Sequence, residues 1–507
     1  MGSLILAYDL GTGGVKASIY NEAGTSIVEC FVPYDTSYPK AGFHEQNPLD
    51  WWSAVVQSTK ELLQNATFDT KSIICIAVSG HSLGVIPIGN NGKLLSENVP
   101  IWSDFRAVDQ AQKFFNHISE NEWYLTTGNG FPAHLYSIFK IMWFKDNLPD
   151  VYEKTAKFIG TKDYINYRLT GKLCTDFSYA SGSGVYDLKA WDYKKTYIEN
   201  SGISAKKLPE IVASTEIIGY LSPDTAKELG LSQNVKVACG GVDNACMALG
   251  AGCVREGMAY TSVGSSAWIA VSGNEPILDA HNKPYVFTHC IPGMFVSSTA
   301  IFSAGSSFRW LRDTACRNLL NENEPYNAMT RLAELSPIGA NKLLFNPSLA
   351  GGSSLDKSQN IKGGFLGLQL GHTQSDLIRA VMEGVCLNLK IALDVMESFT
   401  ILSDDMLIVG GGGKSRLWRS LFADIYNKNI VETNVGQNAG SLGAATVAAV
   451  AIGLWDDFDK VSTLHKIQSR IEPIKQNTEK YAIILDLFKR IADVQSDIGD
   501  MIEHTVW

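Results

Sequence analysis

The chain has few of the features that mark secreted, membrane-bound or metal-binding proteins. Its nine cysteines include no C-x-x-C pair, and no His/Cys cluster has metal-ligand spacing. No apolar run approaches the length that spans a bilayer, and the first residues show neither a basic segment nor an apolar segment of signal length. We therefore expect a cytoplasmic protein with no membrane partner, whose cysteines are small buried thiols in a reducing compartment.

Excess positive charge is also absent. The sequence has 43 Lys and Arg against 52 Asp and Glu, and its formal net charge at pH 7 is -9. An acidic surface repels nucleic acid, so no nucleic-acid partner is expected. The chain has 507 residues, which is too long for a single hydrophobic core. Two or more domains are therefore expected.

The most informative stretch lies near the middle of the chain. An apolar strand leads into Gly240 and Gly241, and Asp243 and Asn244 then open a segment of small and apolar residues. A strand, a glycine turn, an acid and a buried helix can hold a carboxylate at the floor of a binding site. The alternative is that Asp243 or Asn244 is only the N-cap of that helix.

A glycine-rich turn follows the first apolar strand. Leu4–Ala7 leads into Asp9–Lys16 (DLGTGGVK), and a second strand covers Ala17–Tyr20. Because no helix follows the glycines, the Rossmann and Walker A loops are excluded. The turn can still hold phosphate through its backbone N–H groups and Thr12, and Asp9 can hold a hydrated Mg²⁺. The alternative is an ordinary tight hairpin.

The same strand–turn–strand pattern returns in the second half of the chain. It begins at Met258, and its turn is Gly264-Ser265-Ser266. This faint repeat predicts a duplicated domain with a ligand cleft between the copies. Further on, Gly440–Ile452 predicts a closely packed helix of small residues. Apolar residues at helical spacing over Tyr481–Ile502 predict a terminal helix on the second domain.

Polar side chains follow two apolar segments in the first half. His81 and Ser82 come after the predicted strand Ile73–Val78, and Asp104 comes after Val99–Trp102. We expect these segments to be neighbouring buried strands whose ends open on the same edge as the Asp243 turn, where α/β sheets bind ligands. For His81, the alternative is a structural histidine bonded within the core.

Four segments together resemble those of the FGGY carbohydrate kinases, which are sugar and polyol kinases of the actin-like ATPase superfamily. The resemblance covers about Leu4–Ile452. Each motif alone is of middling specificity, but all four occur in order and at the spacing of that family. The segments are Asp9–Lys16, Lys140–Trp143, Gly240–Asn244 and Gly363–Leu368 with its continuation through Asp376–Glu383.

The resemblance implies an α/β fold of two actin-like ATPase (ribonuclease H-like) domains with a ligand cleft between them. The implied divisions are 1–248 for the sugar-side domain, 249–455 for the nucleotide-side domain and 456–507 for a helical extension packed on the second domain. The implied ligands are ATP, Mg²⁺ and a small-molecule sugar. The oligomeric state stays open, with a homodimer as one alternative.

The resemblance also implies roles for individual residues. Asp243 matches the general base that takes the proton of the attacking sugar hydroxyl, and Asp9 and Asp243 match the Mg²⁺ site. The sugar would contact His81, Ser82, Leu83, Trp102, Asp104, Asp243 and Asn244. The nucleotide would contact Asp9, Gly11, Thr12, Gly13, Lys16, Gly264, Ser265, Ser266, Gly305, Arg309, Gly412, Gly413 and Arg416. The family more often has Gly-Thr in the second turn and glutamine in place of Arg309.

The resemblance predicts the type of reaction, but it leaves several possible substrates. His81-Ser82-Leu83 stands where glycerol kinases have Gln-Arg-Glu, so glycerol is not favoured. Relatives that act on D-xylulose have Gly-Gln-Met-His-Gly there, with the histidine two positions later than His81. The segments Glu45–Pro48 and Ile101–Arg106 favour D-xylulose. Another ketose, a sugar acid or a polyol such as a tetritol stays open.

A different class of function is also open. Actin-like folds include chaperone ATPases, filament subunits and non-catalytic sugar sensors, because a fold alone does not decide function. Asp243 favours the kinase, since a sensor has no need of a base at that position.

Overall fold

The computed structural model describes residues 2–505 and contains two compact α/β units. Unit 1 consists of Met1–Val254, Ser272–Ser297 and Asn438–His465. Unit 2 consists of Arg255–Val271, Ser298–Gln437 and Lys466–Trp507. Each unit therefore combines three separate stretches of chain. The division predicted from the sequence, with boundaries after residues 248 and 455, stays a prediction.

The strands are short and numerous. In chain order they are β1 Leu4–Gly11, β2 Gly14–Asn21, β3 Ser26–Pro33, β4 Glu45–Gln46, β5 Ile73–Gly80, β6 Ile86–Gly89, β7 Val99–Pro100, β8 Thr155–Ile159, β9 Cys174–Asp176, β10 Tyr186–Asp187, β11 Asp192–Tyr193, β12 Glu210–Val212, β13 Ile217–Tyr220, β14 Lys236–Ala238, β15 Gly241–Val242, β16 Ala259–Val263, β17 Ala267–Gly273, β18 Tyr285–Thr288, β19 Phe295–Ile301, β20 Leu344–Asn346, β21 Gly364–Leu366, β22 Asp405–Val409, β23 Asn429–Thr433 and β24 Ile467–Ile471.

The α-helices range from single turns to the long terminal helix. They are α1 Pro48–Gln64, α2 Val108–Phe115, α3 Glu120–Thr127, α4 Ser137–Asn147, α5 Pro149–Lys154, α6 Thr161–Thr170, α7 Phe177–Ala180, α8 Lys195–Ser201, α9 Pro223–Leu229, α10 Asp243–Gly250, α11 Gly305–Thr314, α12 Pro325–Ala333, α13 Gln374–Glu397, α14 Arg416–Tyr426, α15 Ala439–Ala451 and α16 Lys475–His504.

The main sheet of unit 1 has the strand order β13-β14-β5-β1-β2-β3, and β15 also pairs with β5. β1 is antiparallel to β2 but parallel to β5, and β5 is parallel to both β14 and β15. The first five residues of β1, Leu4–Tyr8, are continuously buried and largely apolar, which is typical of a strand covered on both faces. α1 packs on β2 and β3, and α15 packs on β1 and β5.

The sheet of unit 2 repeats this topology. Its strands β17-β16-β22-β23-β24 pair in that order. The successive pairings are antiparallel, parallel, parallel and antiparallel, as they are along β2-β1-β5-β14-β13 of unit 1. The internal repeat that was faint in the sequence is therefore confirmed as a repeat of strand order and direction.

α10 and α15 approach each other closely because small residues face one another. A Cβ atom on Gly250 would lie 1.8 Å from the Ala439 carbonyl oxygen, and one on Gly443 would lie 1.9 Å from that of Cys246. Side chains larger than hydrogen would force these backbones apart. This contact confirms the predicted small-residue helix and packs α15 against the helix that begins at Asp243.

One predicted strand is wrong. Val99–Trp102 was expected to lie beside Ile73–Val78 in the main sheet, but only Val99–Pro100 is a strand, and it pairs with β4 outside that sheet. Pro100 has no N–H to donate and sits poorly in a central ladder, which explains the difference. The predicted terminal helix is confirmed as α16, which packs on α13, α14 and β20 of unit 2.

None of the helices described over residues 2–505 is both long enough and apolar enough to span a bilayer.

Candidate active site

Three neighbouring strands of unit 1 end at the same edge of the sheet. β5 lies between β1 and β15, and all three run in the same direction. Ser79 of β5 pairs with Asp9 on one side and with Gly241 on the other. His81 and Asp243 are the residues that follow β5 and β15. The structure therefore brings three predicted parts of the site to one edge, where α/β folds bind ligands. They are the metal ligand Asp9, the loop His81–Gly84 after β5, which we call the sugar loop because its residues are predicted to contact sugar, and the base Asp243.

Asp9 lies in a partly buried, crowded environment. Ser79 donates a hydrogen bond from Oγ to Asp9 Oδ1 at 2.7 Å. A Cβ atom on Gly440, near the start of α15, would lie 2.3 Å from Asp9 Oδ2, so α15 can approach the carboxylate because glycine is there. Burial raises the pKa of Asp9, whereas the Ser79 hydrogen bond and the charge of Lys16 lower it. The composition of 440–452 predicted the close packing of α15 but not its contact with Asp9.

Asp243 is the first residue of α10, and Val242 occupies the N-cap position. Its Oδ1 accepts from the Asn244 backbone N–H at 2.8 Å and from Asn244 Nδ2 at 3.1 Å, rather than from the N–H groups that a cap satisfies. Burial, and after it the negative charge of Asp9, raises the pKa of the Asp243 carboxyl to about 7. A carboxylate with that pKa can accept a proton near neutral pH.

The two carboxylates suit a hard divalent cation. Within the described part of the chain, no group of three or more His, Cys, Asp or Glu could hold a metal ion. Asp9 and Asp243, however, are close enough for the charge of one to raise the pKa of the other. Mg²⁺ is commonly bound by one or two carboxylates, with water and substrate phosphates completing its shell. The donor set fits Mg²⁺ better than Zn²⁺, which prefers nitrogen and sulfur ligands.

The first glycine turn is a two-residue hairpin, as predicted. Gly11 pairs with Gly14, which leaves Thr12 and Gly13 at the tip. Thr12 Oγ1 accepts from Trp102 Nε1 at 2.9 Å, so a predicted phosphate contact and a predicted sugar contact touch each other. Lys16 pairs with Asp9 across the hairpin.

Lys16 is also held from outside the hairpin. Its Nζ binds the Asn438 side chain and lies 3.5 Å from Glu29 Oε2.

His81 is a buried histidine whose ring is poorly satisfied. Only 2% of the residue is exposed, and neither ring nitrogen makes a hydrogen bond of good geometry within residues 2–505. Its ring lies edge-on to Trp51, with ring centres 5.7 Å apart. Burial lowers the pKa of the imidazole to about 4, so it is neutral at pH 7. Buried polar groups without partners are rare and costly, so His81 is a candidate for binding a ligand or a water molecule.

Leu83 of the sugar loop and Trp102 after β7 are held by a lysine that the sequence did not single out as functional. Lys140 donates from Nζ to the carbonyls of Ile101 at 2.6 Å, Leu83 at 3.1 Å and Trp102 at 3.5 Å. Leu83 has a φ of 61°, which is unusual for a residue with a side chain. Lys140 joins the segments that carry Leu83 and Trp102, and its signal in the sequence is a lone charge in the apolar stretch of α4.

Asp104 is fully buried and bound by the chain itself. Its carboxylate accepts from Arg106 Nε at 2.8 Å and Arg106 Nη2 at 2.7 Å, and the backbone N–H of His44 donates to it at 2.8 Å. Arg106 also binds Glu45 at 2.6 Å. Asp104 thus holds the loop after β7, and its sugar contact stays a prediction. Ser82 is also buried.

Some of the residues of unit 2 that were predicted to bind nucleotide lie next to one another. The backbone N–H of Gly305 donates to the Gly264 carbonyl at 2.9 Å, and that of Ser306 donates to the Ser265 carbonyl at 3.0 Å. A Cβ atom on Gly305 would lie 2.4 Å from the Gly264 oxygen, so only glycine fits there. The start of α11 is therefore joined to the second glycine turn, which ends at Ser266.

The glycine loop after β22 lies against the same turn. A Cβ atom on Gly412 would lie 2.4 Å from Cγ1 of Val263, the last residue of β16. Gly413 is buried, and its carbonyl accepts from Arg419. Arg309 on α11 and Arg416 at the start of α14 are exposed. The structure thus groups the glycines and leaves both arginines at the surface.

Two family models together cover most of the chain. The N-terminal domain of the FGGY family of carbohydrate kinases matches residues 4–250, and the C-terminal domain of that family matches residues 259–452. The chain belongs to the FGGY family of carbohydrate kinases and is therefore a carbohydrate kinase. The predicted fold class of two α/β domains of the actin-like type is confirmed. Kinases of this family use ATP, generally with Mg²⁺.

Individual relatives differ in their named substrate. The xylulose kinase of Bacillus subtilis (strain 168) is 29% identical over 500 residues, which is 98% of each chain. Among solved structures, gluconate kinase from Lactobacillus acidophilus matches with a TM-score of 0.89 and 26% identity over 98% of this chain and 99% of that one. Ligand-bound xylulose kinase from Lactobacillus acidophilus has the same score and identity over 97% and 98%.

The pKa of Asp243 can be measured directly. In protein free of metal and nucleotide, we expect its carboxyl to titrate near 7, and Asp9→Asn should lower that value by removing the neighbouring negative charge. Carboxyl ¹³C NMR measures this, with Asp243→Asn to assign the resonance. Since the pKa in the folded state exceeds the unfolded value, stability should fall as pH rises from about 4 to about 7. A wild-type value near 4 would contradict the prediction.

A substitution of His81 distinguishes a sugar-binding role of this residue from a purely structural role. His81→Ala should raise the sugar KM several-fold and leave the ATP KM nearly unchanged, because a sugar hydroxyl would lose its partner at a cost of about 1–3 kcal/mol. The matched control is His289→Ala, since His289 is equally buried but its ring nitrogens bind the Cys253 carbonyl and the Ile291 N–H. It should lower the Tm only. If both variants lose Tm alone, His81 is structural.

Proposed function

We propose that the protein transfers the γ-phosphate of ATP to a hydroxyl group of D-xylulose, with Asp243 as the general base. The observation that supports this most directly is the Asp243 carboxyl, whose pKa of about 7 matches the task of a base at neutral pH. Asp243 follows β15 at the sheet edge that also carries Asp9 and His81. Perturbed carboxyls at such an edge are typical of catalytic sites.

In this proposal each residue has a limited task. Asp243 accepts the proton of the attacking hydroxyl, and Asn244, which already binds the Asp243 carboxylate, orients it. Thr12 and Lys16 bind phosphate oxygens at the first hairpin. When bound, Mg²⁺ neutralises the charge of the phosphates, and Asp9 and Asp243 are the residues that would hold it. Phosphoryl transfer needs little covalent chemistry from a protein, so orientation and charge neutralisation are sufficient.

The rest of the nucleotide would bind in unit 2. The second glycine turn and the glycine loop after β22 lie close together in this unit, and glycine turns of this kind suit phosphate oxygens. The residues proposed for this role in unit 2 are Gly264, Ser265, Ser266, Gly305, Arg309, Gly412, Gly413 and Arg416. Gly11 and Gly13 are proposed to act with Thr12 and Lys16 at the first hairpin of unit 1.

The charges around the sugar loop support a neutral sugar rather than a sugar acid. His81 is uncharged at pH 7 because burial lowers the pKa of its ring to about 4. Arg106 is paired with Asp104 and Glu45. Lys140 is bound to backbone carbonyls, and burial lowers its pKa to about 7. None of these three side chains offers an unpaired positive charge to a substrate carboxylate, which argues against gluconate.

Removal of the proposed base should stop the reaction. We expect Asp243→Ala to lower turnover by roughly 10²–10⁴ or more while ATP affinity changes little. The matched control is Asp50→Ala, because Asp50 is also an acid in the first turn of a helix but is exposed. ADP release measured by a coupled assay gives turnover, and nucleotide titration gives affinity. Near-normal turnover in Asp243→Ala would refute the proposed mechanism.

The substrate can be identified in the same ADP assay. We expect D-xylulose to have the highest kcat/KM in a panel of ketoses, polyols and sugar acids, because the loop charges favour a neutral sugar. If gluconate had the highest kcat/KM, the substrate proposal would fail while the kinase assignment stood. ADP release that did not depend on any sugar would favour an ATPase of another class, and no release at all would favour a sensor.

A further inference from the structure

The turn that carries Asp243 is fixed by a buried group of side chains that has no role in the proposed reaction. The backbone N–H of Val242 donates to Ser178 Oγ at 2.9 Å, and that Oγ donates to Asp176 Oδ2 at 2.5 Å. Both Ser178 and Asp176 are 0% exposed. Val242 immediately precedes Asp243, so this is a direct hydrogen bond from the group to the backbone that carries the base.

Asp176 is itself firmly held. Its Oδ2 also accepts from Ser214 Oγ at 2.7 Å, and its Oδ1 lies 3.0 Å from Lys162 Nζ. Lys162 pairs in turn with Asp163 at 2.6 Å. A buried carboxylate with all of these partners has little freedom to move, and a fully satisfied buried network is rigid. Because Asp176 is fixed, its hydrogen bond with Ser178 also fixes the position of the Ser178 hydroxyl.

The segment before Val242 is bound through other groups. The Cys239 carbonyl accepts from Asn166 Nδ2 at 2.7 Å, and the Gly240 N–H donates to the Ser214 carbonyl at 3.0 Å. Gly240 has a φ of 75°, and a Cβ atom there would lie 2.0 Å from the Val78 carbonyl oxygen. Other groups therefore fix Cys239 and Gly240, and the Ser178 side chain fixes Val242, the residue directly before the proposed base.

The next residue of the same short helix binds the sugar loop. The Tyr179 hydroxyl accepts from the backbone N–H of Gly84 at 3.2 Å and from that of Thr161 at 3.0 Å. It also donates to the His81 carbonyl at 3.2 Å. Adjacent residues of α7 therefore contact the two ends of the site, with Ser178 at the base turn and Tyr179 at the loop of His81 and Gly84.

We propose that α7 is a positioning element, in which Ser178, held by Asp176, sets the position of Asp243 and Tyr179 sets that of the His81 loop. This inference rests on the proposed function, because it takes Asp243 as the base. Neither residue touches a reacting atom. Their effect comes from geometry, since a misplacement of about 1 Å by a change far from the chemistry can cost about 10²-fold in rate.

The decisive comparison is between Ser178→Ala and Ser214→Ala. Both changes remove a buried hydroxyl that donates to the same oxygen of Asp176, but only Ser178 also accepts from Val242. We expect Ser178→Ala to lower kcat by about tenfold or more, with both KM values within about twofold of the unchanged protein. Ser214→Ala should keep kcat within about twofold and show a similar fall in Tm.

Tyr179→Phe tests the other half of the proposal, because it should change the sugar KM and not kcat. It removes the hydroxyl that binds the His81 loop and leaves the Ser178–Val242 contact intact. We expect the sugar KM to rise several-fold while kcat changes little. If α7 had only a structural role, Ser178→Ala and Tyr179→Phe would lower the Tm without the selective change in kcat for the first and in the sugar KM for the second. Should Ser178→Ala not fold, Ser178→Cys and Ser214→Cys replace the first pair, since a thiol keeps the volume but accepts weakly.

Asp243→Ala, measured in the same assay, distinguishes a failure of the positioning role of α7 from a failure of Asp243 as the base. If Asp243→Ala is inactive and Ser178→Ala loses kcat while Ser214→Ala does not, the positioning role is supported. Equal kcat in Ser178→Ala and Ser214→Ala, with Asp243→Ala inactive, overturns the positioning role alone. Normal turnover in Asp243→Ala overturns both.

Discussion

The parallel pairing of β5 with β1 on one side and with β15 on the other is the constraint on which the site depends. The hydrogen-bond ladders set Asp9 and Gly241 level with Ser79, so Asp9, His81 and Asp243 occupy the same edge of the sheet. Two carboxylates brought together in a partly buried place repel each other and lose solvation. The result is an Asp243 carboxyl with a pKa of about 7 and an oxygen-rich pair that suits Mg²⁺.

Close packing of α15 against β1 and α10 supports this edge of the sheet. Gly440 lets α15 approach the Asp9 carboxylate, and Gly250 and Gly443 let α10 and α15 pack closely. These contacts explain why Asn438–His465, far along the chain, belongs to unit 1. A helix of larger residues would be held away from Asp9. The small residues of α15 are therefore part of the architecture of the site as well as of the core.

Polar groups around the sugar loop are mostly paired with one another, and this shapes what the loop can bind. Lys140 donates to backbone carbonyls and Arg106 to carboxylates, whereas the ring nitrogens of His81 make no hydrogen bond of good geometry in the described part of the chain. Charges that are already neutralised fix the loop but do not attract an anion. An unpartnered neutral imidazole instead suits a hydroxyl group, and this difference is the physical basis for favouring a ketose over a sugar acid.

Local patterns in the sequence determined both glycine hairpins, the helix after Asp243 and the terminal helix, because turn chemistry and apolar periodicity act over neighbouring residues. The same patterns singled out Asp9, His81 and Asp243, whereas the family resemblance supplied the class of fold and the remaining candidate residues. The tertiary structure alone decided that Pro100 lies outside the main sheet, that Asp104 is bound to Arg106 and that Ser178 contacts the backbone before Asp243. It also decided the pKa of Asp243, which depends first on burial and then on the charge of Asp9, more than 200 residues earlier in the chain. Burial and contacts between residues distant in sequence arise only when the chain folds, and no local pattern encodes them.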